Sequence, residues 1–156
     1  MQTDQFRSHY APRMKTRILF PLALRRAASE WQQQSLPSVV EDLQGLVLAP
    51  PANEERFHVV FLDEERRRLG IAALGEGRLG AVSLNLRDLF GRALAVEARR
   101  MIMAHNHPSG DCRPSDYDID ATQKISTVAH SLGIELVDHL IFSGDRVFSM
   151  RKGCEL

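Results

Sequence analysis

A short apolar run, Met101–Ala104, passes directly into a polar loop, and this junction constrains the fold more than any other feature of the chain. Consecutive apolar residues that end at turn-forming residues are typical of a buried strand. The loop that follows is marked by Pro, Gly and Ser, and residues 115–133 then have a helical pattern that ends at Gly133, a residue suited to a helix terminus. The sequence therefore predicts a strand, a polar loop and a helix in direct succession.

The rest of the chain alternates between extended and helical patterns. Residues 56–63 are rich in Val and Phe, and a charged turn separates them from residues 69–77, which predicts an antiparallel hairpin. The other predicted elements are helices at 22–34, at 39–48 with Ser38 as cap and at 86–98 with Asn85 as cap, and strands at 81–85, 134–143 and 146–150. This order predicts an α/β (α+β) fold in which helices flank a mixed β-sheet.

Composition limits the chain to the functions of one ordinary globular domain. Its 156 residues are 44% hydrophobic and 26% charged, which is enough to bury a core. Twenty Lys and Arg residues balance twenty Asp and Glu residues, so no overall charge attracts nucleic acid or anionic lipid. The two isolated cysteines cannot build a disulfide framework, and no apolar run reaches the roughly 18 residues of a membrane helix. We therefore expect a cytoplasmic protein without a membrane span or export signal.

The N-terminal segment departs from this balance of charge. Residues 1–34 contain only two acidic residues, Asp4 and Glu30. The six basic residues of the segment are Arg7, Arg13, Lys15, Arg17, Arg25 and Arg26. A solvated basic terminus is the commoner explanation, but such an arm can also bind nucleic acid. A DNA-associated module is therefore one alternative interpretation of the function.

The end of the predicted buried strand has the residue types of a metal site. His105 and His107 are two residues apart, and alternate residues of an extended chain face the same side. Asp118 lies one helical turn after Ser115, near the start of the predicted helix, where its carboxylate can turn back toward the loop. Two His and one Asp leave zinc one open position, as a catalytic site requires. We therefore predict one Zn²⁺ per chain, bound by His105, His107 and Asp118.

The spacing of these residues resembles that of a known family. His-x-His-Pro, followed after seven residues by Ser-x-x-Asp, resembles the motif of the JAMM (MPN+/JAB) metallopeptidases. The form Asn-His-Pro-Ser-Gly, together with Val-Asp-His-Leu-Ile-Phe at residues 137–142, is similar to the RadC branch of that family. The resemblance implies a JAMM/MPN-like (cytidine-deaminase-like) sandwich at residues 53–156, with residues 1–52 as a basic, helical extension.

The resemblance also implies an activity and two further site residues. The implied reaction is hydrolysis of an amide or isopeptide bond in a protein or peptide by metal-activated water. Ser115 would donate a hydrogen bond to the oxyanion, and Glu55, two residues before Phe57, would be the general base. A shift of one residue in the alignment would make Glu54 the base instead. A protein-binding scaffold without activity is a further alternative, although such family members typically lose the metal ligands.

Several of these residues also have structural explanations. Ser115 and Asp118 have the spacing of a helix capping box, which is compatible with metal binding because a carboxylate has two oxygens. Asp138 and His139 are expected to serve packing or strand pairing, with support of a metal ligand as the alternative. Cys112 is expected to be an exposed loop residue that could bind the zinc only adventitiously.

Overall fold

The fold is known from a computed structural model that describes residues 36–77 and 84–155. In chain order its elements are α1 (Leu36–Val47), β1 (Glu55–Leu62), β2 (Arg68–Gly77), α2 (Leu86–Ala95), β3 (Arg100–Asn106), α3 (Asp116–Ser131), β4 (Glu135–Ser143), β5 (Arg146–Ser149) and β6 (Cys154–Glu155). The predicted helix at 22–34 lies outside the described residues. So does most of the predicted strand at 81–85, whose last two residues lead into α2 without strand structure.

The described strands form one mixed sheet in the order β2-β1-β3-β4-β5-β6. β3 and β4 are parallel, whereas the other neighbouring strands of this sheet are antiparallel. A parallel pair requires a crossover, and α3 supplies it between β3 and β4. The predicted α+β fold, a mixed sheet flanked by helices, is therefore confirmed.

Both faces of the sheet are covered, because successive residues of a strand point to opposite sides. Phe57, Val59 and Phe61 of β1 pack in one cluster with α2 and α3, which contribute residues such as Leu89 and Ile125. The other face of the sheet packs against α1, in the cluster Val39, Leu43, Val47, Val60, Leu62, Ile102, Ala104, Leu140 and Phe142. Every residue of β1 is buried, as expected for a strand at the centre of such a sandwich.

Helix α1 is attached to the sheet by both apolar and ionic contacts. Leu43 and Val47 are fully buried against the sheet. Asp42 of α1 forms an ion pair at 2.6 Å with Arg68 of β2, whose side chain is almost entirely buried. The helix begins at Leu36 rather than after Ser38, three residues earlier than predicted. The division of the chain at residue 52 stays a prediction, but α1 lies on the N-terminal side of that division and contributes to the core.

Helices α2 and α3 end in the same way with different residues. In α3, Gly133 is in the left-handed region at φ 70°, and Ile134 N–H donates to the Ala129 carbonyl at 2.9 Å, as the sequence predicts for a helix end at glycine. In α2, Glu97 takes the left-handed position at φ 56°, so the helix ends at Ala95 instead of residue 98. A glutamate gives no sequence signal for such an end, which explains the wrong boundary.

The described part of the chain contains no helix with both the length and the apolar character needed to cross a bilayer.

Candidate metal centre

The end of β3 brings two histidines to the same side of the sheet. His105 pairs with Phe57 of β1 and with Ile141 of β4. His107 follows the strand, but its N–H still donates to the Phe142 carbonyl at 2.8 Å, and its own carbonyl accepts from Ser143 Oγ at 2.8 Å. This extension of the strand pairing keeps the alternation, and the two Nε2 atoms lie 2.9 Å apart.

Asp118 reaches the histidines from the first turn of α3. Ser115 is the N-cap, and Asp118 N–H donates to its Oγ at 3.2 Å. In return, Asp118 Oδ2 accepts hydrogen bonds from Ser115 N–H at 2.8 Å and from Ser115 Oγ at 2.6 Å. The capping box is therefore present, and it orients the carboxylate toward β3 instead of competing with that position.

The three side chains meet at distances that suit a metal ion. Asp118 Oδ1 lies 3.2 Å from His105 Nε2, and Oδ2 lies 3.3 Å from His107 Nε2. One ligand atom from each residue can be chosen so that all lie within 4.8 Å of one another. Neighbouring donors of a tetrahedral zinc with bonds of 2.0–2.1 Å are about 3.3 Å apart. The group could therefore hold a metal ion, and its donor set of two imidazoles and one carboxylate is typical of a hydrolytic metal site.

The hydrogen bonds and charges of His105, His107 and Asp118 also favour a bound cation. His107 Nδ1 donates to the Asp111 carbonyl at 2.9 Å, so in the neutral ring Nε2 carries a lone pair that faces His105. The hydrogen bond with Asp118 raises the pKa of His107. Burial raises the pKa of Asp118, but the contacts of its carboxylate with the His105 and His107 imidazoles outweigh burial and hold this pKa far below its usual range. Asp118 is thus an anion beside two imidazoles, which favours a positive charge between them.

Glu55 and Glu54 occupy different environments at the start of β1. Glu55 is buried and lines the same cavity as the three candidate ligands. The side chain of Glu54 is 41% exposed, and its carboxylate lies 3.4 Å from the guanidinium of Arg56. Of the two candidate bases, Glu55 is therefore the one whose side chain borders the cavity.

The cavity itself is small, and both polar and apolar residues line it. Its volume is about 60 Å³. The polar lining residues are Glu55, His105, His107, Ser115, Asp118 and His139. The apolar lining residues are Phe57, Leu84, Ala121 and Ile125, and Tyr117, which is half-exposed, also borders the cavity. Glu55, His107 and Ser115 also line a wider surface cleft, which extends to Arg113. All five site residues predicted from the sequence thus surround one cavity with access to solvent.

Two residues near the site were not predicted from the sequence, and two others differ from expectation. Thr122 contacts His139, and Asn106 contacts the backbone of Arg56, next to Glu55. Nothing in the local sequence pattern of Thr122 or Asn106 indicates these contacts. His139 does more than pack, because its Nε2 lies 2.7 Å from His105 Nδ1. Burial of His139 lowers its pKa well below the usual value, so the ring is neutral. Cys112 is buried rather than exposed, and it is not among the grouped metal ligands.

Comparison with known proteins shows the family to which the chain belongs. The RadC-like JAB domain matches residues 35–155. A UPF0758 protein of Desulforudis audaxviator is 33% identical over 140 residues, which cover 88% of this chain and 60% of the relative. UPF0758 proteins of Finegoldia magna and Cupriavidus pinatubonensis are 31% and 36% identical, over 58% and 52% of their lengths. The chain thus spans little more than half the length of these relatives. Because the domain match covers most of the chain, the protein belongs to the RadC-like JAB domain family.

Proposed function

We propose that this protein is a zinc-dependent hydrolase that cleaves amide or isopeptide bonds in a protein or peptide. The observation that carries the proposal is that His105, His107 and Asp118 border one solvent-accessible cavity together with Glu55 and Ser115. A non-catalytic scaffold would need neither the three metal donors nor an acidic group beside them. The two free cysteines fit a reducing cytoplasm as the place of the reaction.

His105, His107 and Asp118 would hold the zinc, and the bound ion would act as a Lewis acid that polarises the substrate carbonyl and lowers the pKa of a water toward about 7. Glu55 then accepts the proton of the attacking water and passes it to the leaving amine. The burial of Glu55 suits this role, since few bulk waters compete for the proton.

Ser115 stabilises the oxyanion of the tetrahedral intermediate in this proposal. Its hydroxyl has one proton, which in the structure is directed to Asp118 Oδ2. Asp118 Oδ2 keeps the hydrogen bond from the Ser115 N–H when the hydroxyl rotates about its Cβ–Oγ bond. Ser115 can therefore turn its O–H toward a substrate oxygen without releasing the carboxylate.

The test compares protein stripped of metal by a chelator with the same protein reloaded with stoichiometric Zn²⁺. The substrates are a library of quenched fluorescent peptides and an isopeptide-linked peptide pair. We expect cleavage by the reloaded protein only. Tight zinc binding without cleavage of any amide or isopeptide bond would overturn the proposal and favour the scaffold alternative.

A further inference from the structure

His139 connects the candidate metal site to the interior of the fold. It lies on β4, where the parallel register pairs it with Met103, two residues before His105 on β3. The residue is only 2% exposed, and its ring lies between two polar partners. Nε2 is 2.7 Å from His105 Nδ1, and Nδ1 is 2.7 Å from Thr122 Oγ1. A neutral imidazole has one donor and one acceptor nitrogen, so only two arrangements of protons are possible here.

The contact of Thr122 with the Asp118 carbonyl decides between the two proton arrangements. Thr122 Oγ1 lies 2.6 Å from the backbone carbonyl of Asp118, and a carbonyl can only accept. The single hydroxyl proton of Thr122 must therefore point at that carbonyl, since otherwise two oxygen lone pairs would face each other. The sulfur of Met150 at 3.5 Å is a weaker acceptor and does not compete.

Each remaining proton follows from this first one. The Thr122 oxygen presents a lone pair to His139 Nδ1, so Nδ1 carries the proton and Nε2 accepts. His105 Nδ1 must then donate to His139 Nε2, which in the neutral ring leaves the lone pair of His105 on its Nε2. That atom is the one which faces Asp118 and His107.

We propose that His139 and Thr122 are positioning residues that fix the tautomer of His105 so that its Nε2 presents a lone pair to a metal ion. The inference rests on the metal-binding part of the proposed function and not on hydrolysis. His107 reaches the same state directly, through the Asp111 carbonyl. A backbone carbonyl thus determines the tautomer of each histidine. His107 contacts its carbonyl directly, whereas His105 is linked to the Asp118 carbonyl by a relay of two side chains, His139 and Thr122.

The opposite proton arrangement would disable the site. If His139 Nε2 carried the proton, His105 would accept at Nδ1 and hold its own proton on Nε2, where it blocks a metal ion. Removal of such supporting hydrogen bonds typically weakens metal affinity by about 10–100-fold.

The first experiment measures zinc affinity by competition with a chromophoric chelator. His139→Leu removes the acceptor, and we expect affinity to fall about 10–100-fold. His139→Gln keeps an acceptor oxygen and a donor amide, so it should recover most of the loss. Thr122→Val should weaken zinc binding, whereas Thr122→Ser should not.

The helix offers a matched control for the threonine. Thr127 is exposed on α3, and its hydroxyl makes the same bond to the carbonyl four residues earlier, Gln123, at 2.9 Å. Thr127→Val therefore removes an equivalent hydroxyl without touching His139, and zinc affinity should stay at the wild-type value. Equal affinity in Thr122→Val and Thr127→Val, with His139→Leu also unchanged, would overturn the relay.

The second experiment reads the tautomer in the folded wild-type protein, so it does not depend on a variant that folds. Two-bond ¹H–¹⁵N spectra of the zinc-loaded protein should show the His139 proton on Nδ1 and an unprotonated Nε2. A proton on His139 Nε2, or a wild-type chain that binds no zinc, would overturn the inference. Zinc affinities in the expected order without peptidase activity would overturn the proposed hydrolase and leave the relay intact.

Discussion

Asn106 accepts a hydrogen bond from the backbone N–H of Arg56 at 2.7 Å, through the Oδ1 of its buried side chain. The other side of the same amide donates from Nδ2 to the Glu54 carbonyl at 2.8 Å. One side chain at the end of β3 therefore holds the backbone before and after Glu55. Because both bonds are made by one rigid amide, the start of β1 cannot shift without breaking them.

This contact predicts that Asn106 determines the position of Glu55. Asn106→Asp keeps the acceptor for Arg56 but replaces the donor to Glu54 with a carboxylate oxygen that repels the carbonyl. We expect peptidase kcat to fall about 10–100-fold, because a displacement of about 1 Å in a catalytic group can have that effect. The zinc content should be unchanged. Asn53→Asp makes the same replacement at an exposed position nearby and should leave kcat at the wild-type value. A wild-type kcat in Asn106→Asp would contradict the prediction.

The metal ligands are tested by deletion of single side chains. His105→Ala and His107→Ala should each lose zinc, since removal of one of three protein ligands leaves an incomplete site. Elemental analysis of protein after dialysis measures the loss. His130→Ala removes an exposed histidine from α3 and should keep a full equivalent of zinc. Full zinc retention by both site variants would show that the ion binds elsewhere.

The general base is tested by a pair of neighbouring variants. Glu55→Gln is nearly isosteric and should keep zinc and fold but lose about 10²–10⁴ in rate, because the amide cannot accept the proton. Glu54→Gln should leave the rate nearly unchanged, since Glu54 contacts Arg56 at a more exposed position. Single-turnover rates on one cleavable peptide compare the two. A large loss in Glu54→Gln alone would reveal an error of one residue in the alignment.

Ser115 has two effects that can be separated. Ser115→Ala removes the N-cap of α3, which typically costs about 1 kcal/mol of stability. It also removes the oxyanion donor, for which we expect a loss of about 10²–10³ in kcat. Asn85→Ala removes the N-cap of α2, which accepts from Asp88 N–H at 3.1 Å. This control should lower stability to a similar extent in chemical denaturation and leave kcat unchanged. A similar kcat in both variants would show that Ser115 acts only as a helix cap and not as an oxyanion donor.

Helix α1 is expected to be necessary for the fold even though it lies before the predicted division at residue 52. Leu43→Ala should destabilise the protein by about 2–5 kcal/mol, the usual cost of a cavity at a fully buried leucine. Leu46 is exposed on the same helix, so Leu46→Ala should have little effect on the denaturation midpoint. Equal midpoints for the two variants would mean that α1 contributes little to the core.

The parts of the structure that could be predicted from the sequence have local signals. The hairpin of β1 and β2 follows from apolar strands around a charged turn, and the Asn85 and Ser115 caps follow from residue type. The metal cluster was predictable because His105 and His107 alternate on a strand and Asp118 follows a helix cap. Each of these features depends on residues close together in the chain.

The parts that could not be predicted depend on pairing across long separations. The contact of His139 with His105 follows from the parallel register of β3 and β4, and no local pattern specifies that register. Asn106 spans residues 54 and 56 because of the antiparallel register of β1 and β3, which no local pattern specifies either. The strand β6 has only two residues, too few for a period-two pattern to be visible.

The loop between His107 and Ser115 is fixed by its own contacts. Asp111 accepts at its backbone carbonyl from the His107 ring and at its carboxylate from Arg113, whose hydrogen bonds hold the pKa of Asp111 well below the usual range. The conformational entropy of this segment is therefore lost when the chain folds and not when an ion arrives. Binding to such a preorganised site needs little rearrangement of the backbone. We therefore expect the chain to stay folded when a metal ion leaves, so that the same protein could be emptied by a chelator and reloaded with different divalent metals.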